Sequence, residues 1–168
     1  IRIARENGAI ISCDPNLRLP LWPSVEKARE ILRLAISQAD VVKMSDEEII
    51  FVSGKEDLED GIKDLWCDQW RALVVTYGPK GSRFITPEFD GFVPSFDVTA
   101  VDATGAGDGC TAGFLSRLLK DPELLGAEEK LIAACRFANA VGAITATKRG
   151  AINALPTEKE VEDFLSAR

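Results

Sequence analysis

The chain has 168 residues, a net charge of −7, 46% hydrophobic and 28% charged residues, and no histidine. That length carries one domain with its own core, in an ordinary globular composition. The acidic balance argues against nucleic acid or an anionic membrane as partner, since both select basic surfaces. The lack of histidine excludes Ser-His-Asp triads, Cys-His pairs and His-ligated metals from this chain.

Ala9–Cys13 is a short apolar run that predicts a buried strand, broken by Asp14-Pro15-Asn16. Ser24 is placed to cap a helix in which Val25, Ala28, Ile31, Leu32 and Ala35 recur at helical spacing. Val41–Met44 predicts a second strand, and Ser45-Asp46-Glu47-Glu48 opens a short helix ending near Gly54. Ile62–Trp70 is expected to be helical. Leu73–Thr76 predicts a third strand, followed by a turn at Tyr77–Gly81 and strands at Ser82–Thr86, Gly91–Val93 and Phe96–Val101. Helices are expected over Gly109–Lys120, Ala127–Thr147 and Glu158–Ala167, the last capped by Thr157. Strands alternating with helices imply an α/β domain with a mainly parallel sheet, helices on both its faces.

The cysteines are Cys13, Cys67, Cys110 and Cys135. None forms a C-x-x-C pair, and they are expected to be reduced, mostly buried thiols. The most apolar stretch, Leu131–Thr147, is interrupted by Arg136 and Asn139, so no membrane span is expected. Trp22, Trp66 and Trp70 are expected to pack rather than to stack on a base.

In open α/β sheets, ligands bind beyond the carboxyl ends of the strands. The loops after Cys13, Met44, Thr76 and Val101 are therefore the informative ones. In Val101–Gly109 a strand leads into small residues, then Asp108, then a helix. Small residues admit an anion close to the backbone, and the first N–H groups of a helix point outward without internal partners. Such a turn can hold charge developing on a transferred phosphoryl group, and Asp108 can take a proton from an attacking hydroxyl. On pattern alone, a helix with an Asp N-cap is an equal reading. The turn is neither a Walker A loop nor a complete G-x-G-x-x-G fingerprint, because Cys110 stands at the third glycine position.

Asp102–Asp108 (DATGAGD) resembles the D-[TA]-x-G-A-G-D signature of the ribokinase-like (PfkB) sugar kinases. Other loops match in order: Asp14-Pro15-Asn16-Leu17-Arg18 resembles the D-x-N-x-R element, Ser45–Glu48 stands where N-x-x-E is usual, and Thr76–Gly81 resembles T-x-G-x-x-G. Phe137–Ala140 and Thr147–Ala151 resemble the adenine-side helix and loop. The runs Asp14–Ser24 and Lys148–Thr157 look most like the fructokinase branch. Ser45 in place of Asn, and Gly109-Cys110 after the aspartate, depart from the family pattern.

The resemblance implies a ribokinase-like fold of which residues 1–168 form the C-terminal nucleotide-binding and catalytic portion. It implies an ATP-dependent fructokinase, with a kinase for ribose, a nucleoside or a keto-deoxy acid, or a non-catalytic scaffold, as alternatives. Asp108 would be the general base, with the amides of Gly105, Ala106 and Gly107 as anion hole. Asp14, Asn16 and Arg18 would meet phosphate or the reacting groups. Lys43, Thr76, Gly78, Gly81 and Asn139 would lie along ATP. Glu48 would help to place Mg²⁺ through water, though Ser45-x-x-Glu48 equally fits a capping box. Asp102 and the Thr104 carbonyl would hold a monovalent cation, K⁺, completed by carbonyls around Ala146 and Gly150–Ala154. The expected partners are fructose and ATP, with a homodimer of the full-length protein compatible with the resemblance. The cytoplasm is the expected location, a plastid being left open because the chain begins at Ile1 without methionine.

Overall fold

The computed structural model describes every residue from Ile1 to Arg168 and divides into two compact units. The first comprises Ile1–Thr76 with Ile85–Pro87, the second Tyr77–Phe84 with Glu88–Arg168.

In the first unit, strands β1 (Ser12–Cys13), β2 (Val41–Ser45) and β3 (Ala72–Thr76) lie in that order, all parallel. The pairings Cys13 with Val42 and Ser45 with Thr76 bring their carboxyl ends to one edge. Val41, Val42 and Met44 of β2 and Ala72–Val75 of β3 are buried, as expected of parallel strands covered on both faces. Helices α1 (Arg2–Glu6), α2 (Val25–Ile36), α3 (Asp46–Ser53) and α4 (Leu58–Leu65) complete this unit. Ser24 caps α2 by accepting the Lys27 N–H at 3.1 Å, and Ala28, Leu32 and Ile36 form its buried stripe.

Three expectations change here. The strand predicted over Ala9–Cys13 contracts to two residues because Asp40 interrupts the ladder: its carboxylate accepts the Ile11 N–H at 2.7 Å, and its N–H, like that of Val41, donates to the Ile11 carbonyl. Helix α4 covers Leu58–Leu65 rather than Ile62–Trp70, since Asp57 caps it through the Asp60 N–H and Trp66 leaves helical conformation. Trp70 instead turns inward, 2% exposed, its indole donating to the Ile36 carbonyl at 2.8 Å. Helix α1 was not expected from the sequence; it buries none of its residues and so shows no periodic stripe.

In the second unit a 3₁₀ turn (Gly78–Lys80) leads to β4 (Gly81–Ile85), all but its last residue in this unit, which lies beside β5 (Asp90–Pro94). The short connection makes the pair antiparallel, and Arg83 meets Asp90 across it at 2.7 Å. Helices α5 (Ala106–Lys120), α6 (Glu128–Ala146) and α7 (Glu158–Ser166) follow. α5 and α6 cross closely: a Cβ on Gly113 would stand 3.0 Å from the Ala138 backbone, and one on Gly109 about as near to Thr145, Val141 and Leu155. This crossing leaves Cys110 buried, the physical context of the unusual Gly109-Cys110 pair.

The strand expected at Phe96–Val101 does not form. Phe96 joins Phe164 in an edge-to-face pair, packed on Phe137, Val141, Ile144 and Val161, and the Val101 N–H donates to the Ala146 carbonyl at 2.7 Å. No helix is long and apolar enough to cross a membrane. All four cysteines are free thiols, with Cys110 and Cys135 buried and Cys13 and Cys67 half-buried.

Candidate active site

In the second unit, the glycine-rich turn starts α5 three residues earlier than expected. Gly105 is the N-cap, at φ 80°, and no side chain caps the helix. A Cβ on Gly105 would meet both Cα and Cβ of Ala151 at 2.9 Å, so glycine is needed for conformation and for space. Asp108 therefore stands in the first helical turn, exposed to solvent. The Asp N-cap reading of this residue is removed. The Ala106 N–H donates to the Ala103 carbonyl at 3.1 Å. The N–H groups of Gly107 and Asp108 open the helix outside its ladder.

Asp102 holds this turn against the loop after α6. One carboxylate oxygen accepts the Thr104 N–H at 2.9 Å, the other the Gly150 N–H at 3.0 Å. The Thr104 hydroxyl, those two amides and the nearby Arg149 hold the carboxyl down at about 2, so Asp102 is ionised at neutral pH. An anionic carboxylate with one lone-pair direction left beyond these three donors could hold a monovalent cation, together with the Thr104 carbonyl. The Ala146 carbonyl does not suit one: it accepts both the Val101 and the Asp102 N–H, at 2.7 and 3.1 Å, which uses both its lone pairs.

Gly78 opens the 3₁₀ turn and Gly81 follows it, both at positive φ. The Gly81 carbonyl accepts the Tyr77 N–H at 2.9 Å, and a Cβ on Gly81 would collide with the Val93 carbonyl. Asn139 lies on α6, 5% exposed, and its amide donates to the Val93 carbonyl at 3.0 Å and more weakly to that of Pro94. Its amide group is thus committed to joining α6 to β5.

In the first unit, the parallel register sets Asp14 beside Lys43, and their side chains pair at 3.3 Å, each largely buried. Asn16 is the one non-glycine residue at positive φ, 44°, a conformation asparagine tolerates. Arg18 donates to the Leu17 carbonyl at 2.9 Å and is otherwise exposed. Thr76 ends β3 opposite Ser45.

Ser45 and Glu48 form a reciprocal capping box on α3. The Ser45 hydroxyl accepts the Glu48 N–H at 3.1 Å, and Glu48 Oε2 accepts the Ser45 N–H at 2.8 Å. The other carboxylate oxygen, Oε1, accepts the Leu17 N–H at 2.8 Å. No group of three or more acidic or thiol side chains is placed to hold a metal ion. The Leu17 amide was not expected as a functional partner, and Gly150 and Ala151, expected to offer carbonyls, serve here as an amide donor and as the neighbour of Gly105. Their roles lie in backbone and packing, which residue type does not advertise.

Residues 1–158 match the family model described as pfkB family carbohydrate kinase. Fructokinase-1 of Zea mays is 48% identical over 162 residues, covering 96% of this chain and 50% of the maize protein. The fructokinase of Xylella fastidiosa, solved with bound ATP, superposes with a TM-score of 0.91 at 32% identity over 99% of this chain and 54% of its own. That of Vibrio cholerae O395, solved with fructose, ADP and calcium ion, gives 0.89 at 34% identity over 96% of this chain and 52% of its own. The chain thus spans about half the length of these relatives. Their likeness establishes the α/β, ribokinase-like fold.

Proposed function

The chain belongs to the pfkB family of carbohydrate kinases, and on that premise we propose that the protein it comes from transfers the γ-phosphoryl group of ATP to a hydroxyl of fructose. The observation that carries this reading is the start of α5: an uncapped helix N-terminus on a glycine at φ 80°, with the exposed carboxylate of Asp108 in its first turn.

Phosphoryl transfer asks a protein chiefly for positioning and for charge stabilisation. In this reading Asp108 accepts the proton of the sugar hydroxyl, and the turn Gly105–Gly107 presents N–H groups to the charge developing on the phosphoryl oxygens. The Ala106 amide is turned to Ala103, so those of Gly105 and Gly107 would carry this role. Asp102 and the Thr104 carbonyl would hold K⁺ and so keep the shape of the turn. Thr76, Gly78 and Gly81 would line the nucleotide, with Asn139 acting through the placement of α6 and β5. Asp14, Asn16 and Arg18 would face phosphate, Lys43 steadying Asp14. Mg²⁺ carried in with ATP would neutralise charge between the phosphates, and Glu48 would reach it through water alone.

The residues that hold the sugar are proposed to lie outside this chain, which forms the nucleotide-binding and catalytic portion. The cytoplasm, a homodimer of the full-length protein and the absence of nucleic-acid or membrane partners belong to the same proposal. A panel of sugars, nucleosides and keto-deoxy acids, incubated with ATP–Mg²⁺ and full-length protein, tests it. Fructose is expected to be phosphorylated fastest, while the isolated 168 residues give little or no product. Preference for another acceptor would move the substrate, and no transfer to any acceptor would leave a scaffold role.

A further inference from the structure

We infer that Ala151 is a positioning residue that seats the glycine-rich turn, its methyl group packing on Gly105 and so holding the peptides proposed as the anion hole. The consequence for turnover rests on the kinase reading, whereas the seat itself stands on geometry.

The turn has few ties of its own. Gly105 has no side chain to pack, and no side chain caps the helix that it opens. Its φ of 80° lies where glycine moves with little restraint, so a neighbour must hold it. The Thr104 N–H is fixed by Asp102, and the Gly109 N–H closes the first turn on the Gly105 carbonyl at 2.8 Å. Both bonds are local and move with the turn.

The backing comes from α6 and the loop after it. A Cβ on Gly142 would lie 3.1 Å from the Ala106 carbonyl oxygen. That carbonyl shares its rigid peptide plane with the Gly107 N–H. Gly142 stands inside α6 at an ordinary φ, where alanine would be the better helix former. Space, not conformation, is what glycine supplies there. One helical turn on, the Ala146 carbonyl accepts the Val101 and Asp102 N–H groups. Beyond the helix, the Gly150 N–H donates to Asp102. Ala151 completes the row: the place a Cβ would take on Gly105 is 2.9 Å from both its Cα and its Cβ.

Among these four contacts, Gly142, Ala146 and Gly150 act through backbone, and Ala151 alone brings a side chain. Its methyl group is a fixed stop, because Ala151 is half-buried and its carbonyl accepts the Ala154 N–H at 3.1 Å. Removing it would leave the turn tied at Asp102 but unbacked at Gly105.

The test compares wild-type, Ala151→Gly and Ala151→Ser in the full-length protein. It reads kcat, KM for ATP and fructose, and the backbone order parameters of the Gly105 and Gly107 amides. Ala151→Gly is expected to lower kcat about tenfold, since a loosened donor is lost chiefly in the transition state. Both KM values should stay within about twofold, the mark of an interaction absent from the ground state. The two order parameters should fall from about 0.85 toward about 0.6, while the Gly150 amide keeps its wild-type chemical shift. Ala151→Ser retains the Cβ and should recover most of the loss. Unchanged order parameters in Ala151→Gly would overturn the seat. So would equal loss in Ala151→Ser, or a Gly150 amide displaced with the turn, which would mean that the whole loop and not one contact had been lost. A wild-type protein that phosphorylates nothing would sink the kinase reading alone, and the order parameters would still decide the seat.

Discussion

Asp102 accepts the N–H of Gly150 at 3.0 Å, joining the glycine-rich turn to a loop 48 residues further along the chain. The same carboxylate accepts the Thr104 N–H, so one side chain sets both the turn's internal shape and its neighbour.

This pair has a pH signature. The carboxyl is depressed from 3.8 to about 2, first by the Thr104 hydroxyl and then by the Gly150 and Thr104 amides. A depressed acid contributes stability that is complete above its unfolded value and is lost as pH falls through its folded value. The Gly150 amide should therefore keep its chemical shift down to pH 3.8 and titrate with a midpoint near 2. A midpoint at the ordinary carboxylate value would show that the contact does not persist in solution. Asp102→Ala should abolish the titration.

Asp108→Asn removes the proton acceptor while leaving the helix start intact. The variant of the full-length protein is expected to bind ATP as wild-type does and to turn over at least about a hundredfold more slowly. Near-normal turnover would take Asp108 out of the role of base.

Gly105→Ala places a methyl group against Ala151 and forces an L-residue to φ 80°. Left-handed backbone and overpacking each cost on the order of 1–2 kcal/mol. Urea unfolding should show a loss of about 2 kcal/mol or more. A loss under about 0.5 kcal/mol would mean that the turn moves freely away from Ala151.

The cysteines should divide by burial. Cys135 is 0% exposed, and burial, followed by the nearby Cys110, pushes its thiol up to about 12. A thiol-specific reagent at about pH 8 should modify Cys67 in the native protein and spare Cys135 until unfolding, since only the thiolate reacts. The sign follows: a raised acid contributes stability complete below 9.0 and lost as pH climbs toward 12. Native-state labelling of Cys135 would contradict the packing of α5 on α6.

Local pattern carried a good part of this molecule. Ser24 and Thr157 were readable as caps because an N-cap bond spans only three residues. The apolar runs at Val41–Met44 and Leu73–Thr76 were readable as buried parallel strands, and the ordered motifs from Asp14 to Gly150 carry the family's signature in the sequence itself. What sequence could not supply were bonds between distant residues. Asp40 cut β1 short by taking the Ile11 N–H, and the Ala146 carbonyl drew Val101 out of a strand. At Ser45-x-x-Glu48 the spacing already contained the capping box, but the second oxygen's partner, Leu17, lies 31 residues back. Side-chain type and spacing encode the partners within a turn or two of helix. The choice among distant backbone donors is made only when packing brings one of them within 3 Å of an unused lone pair.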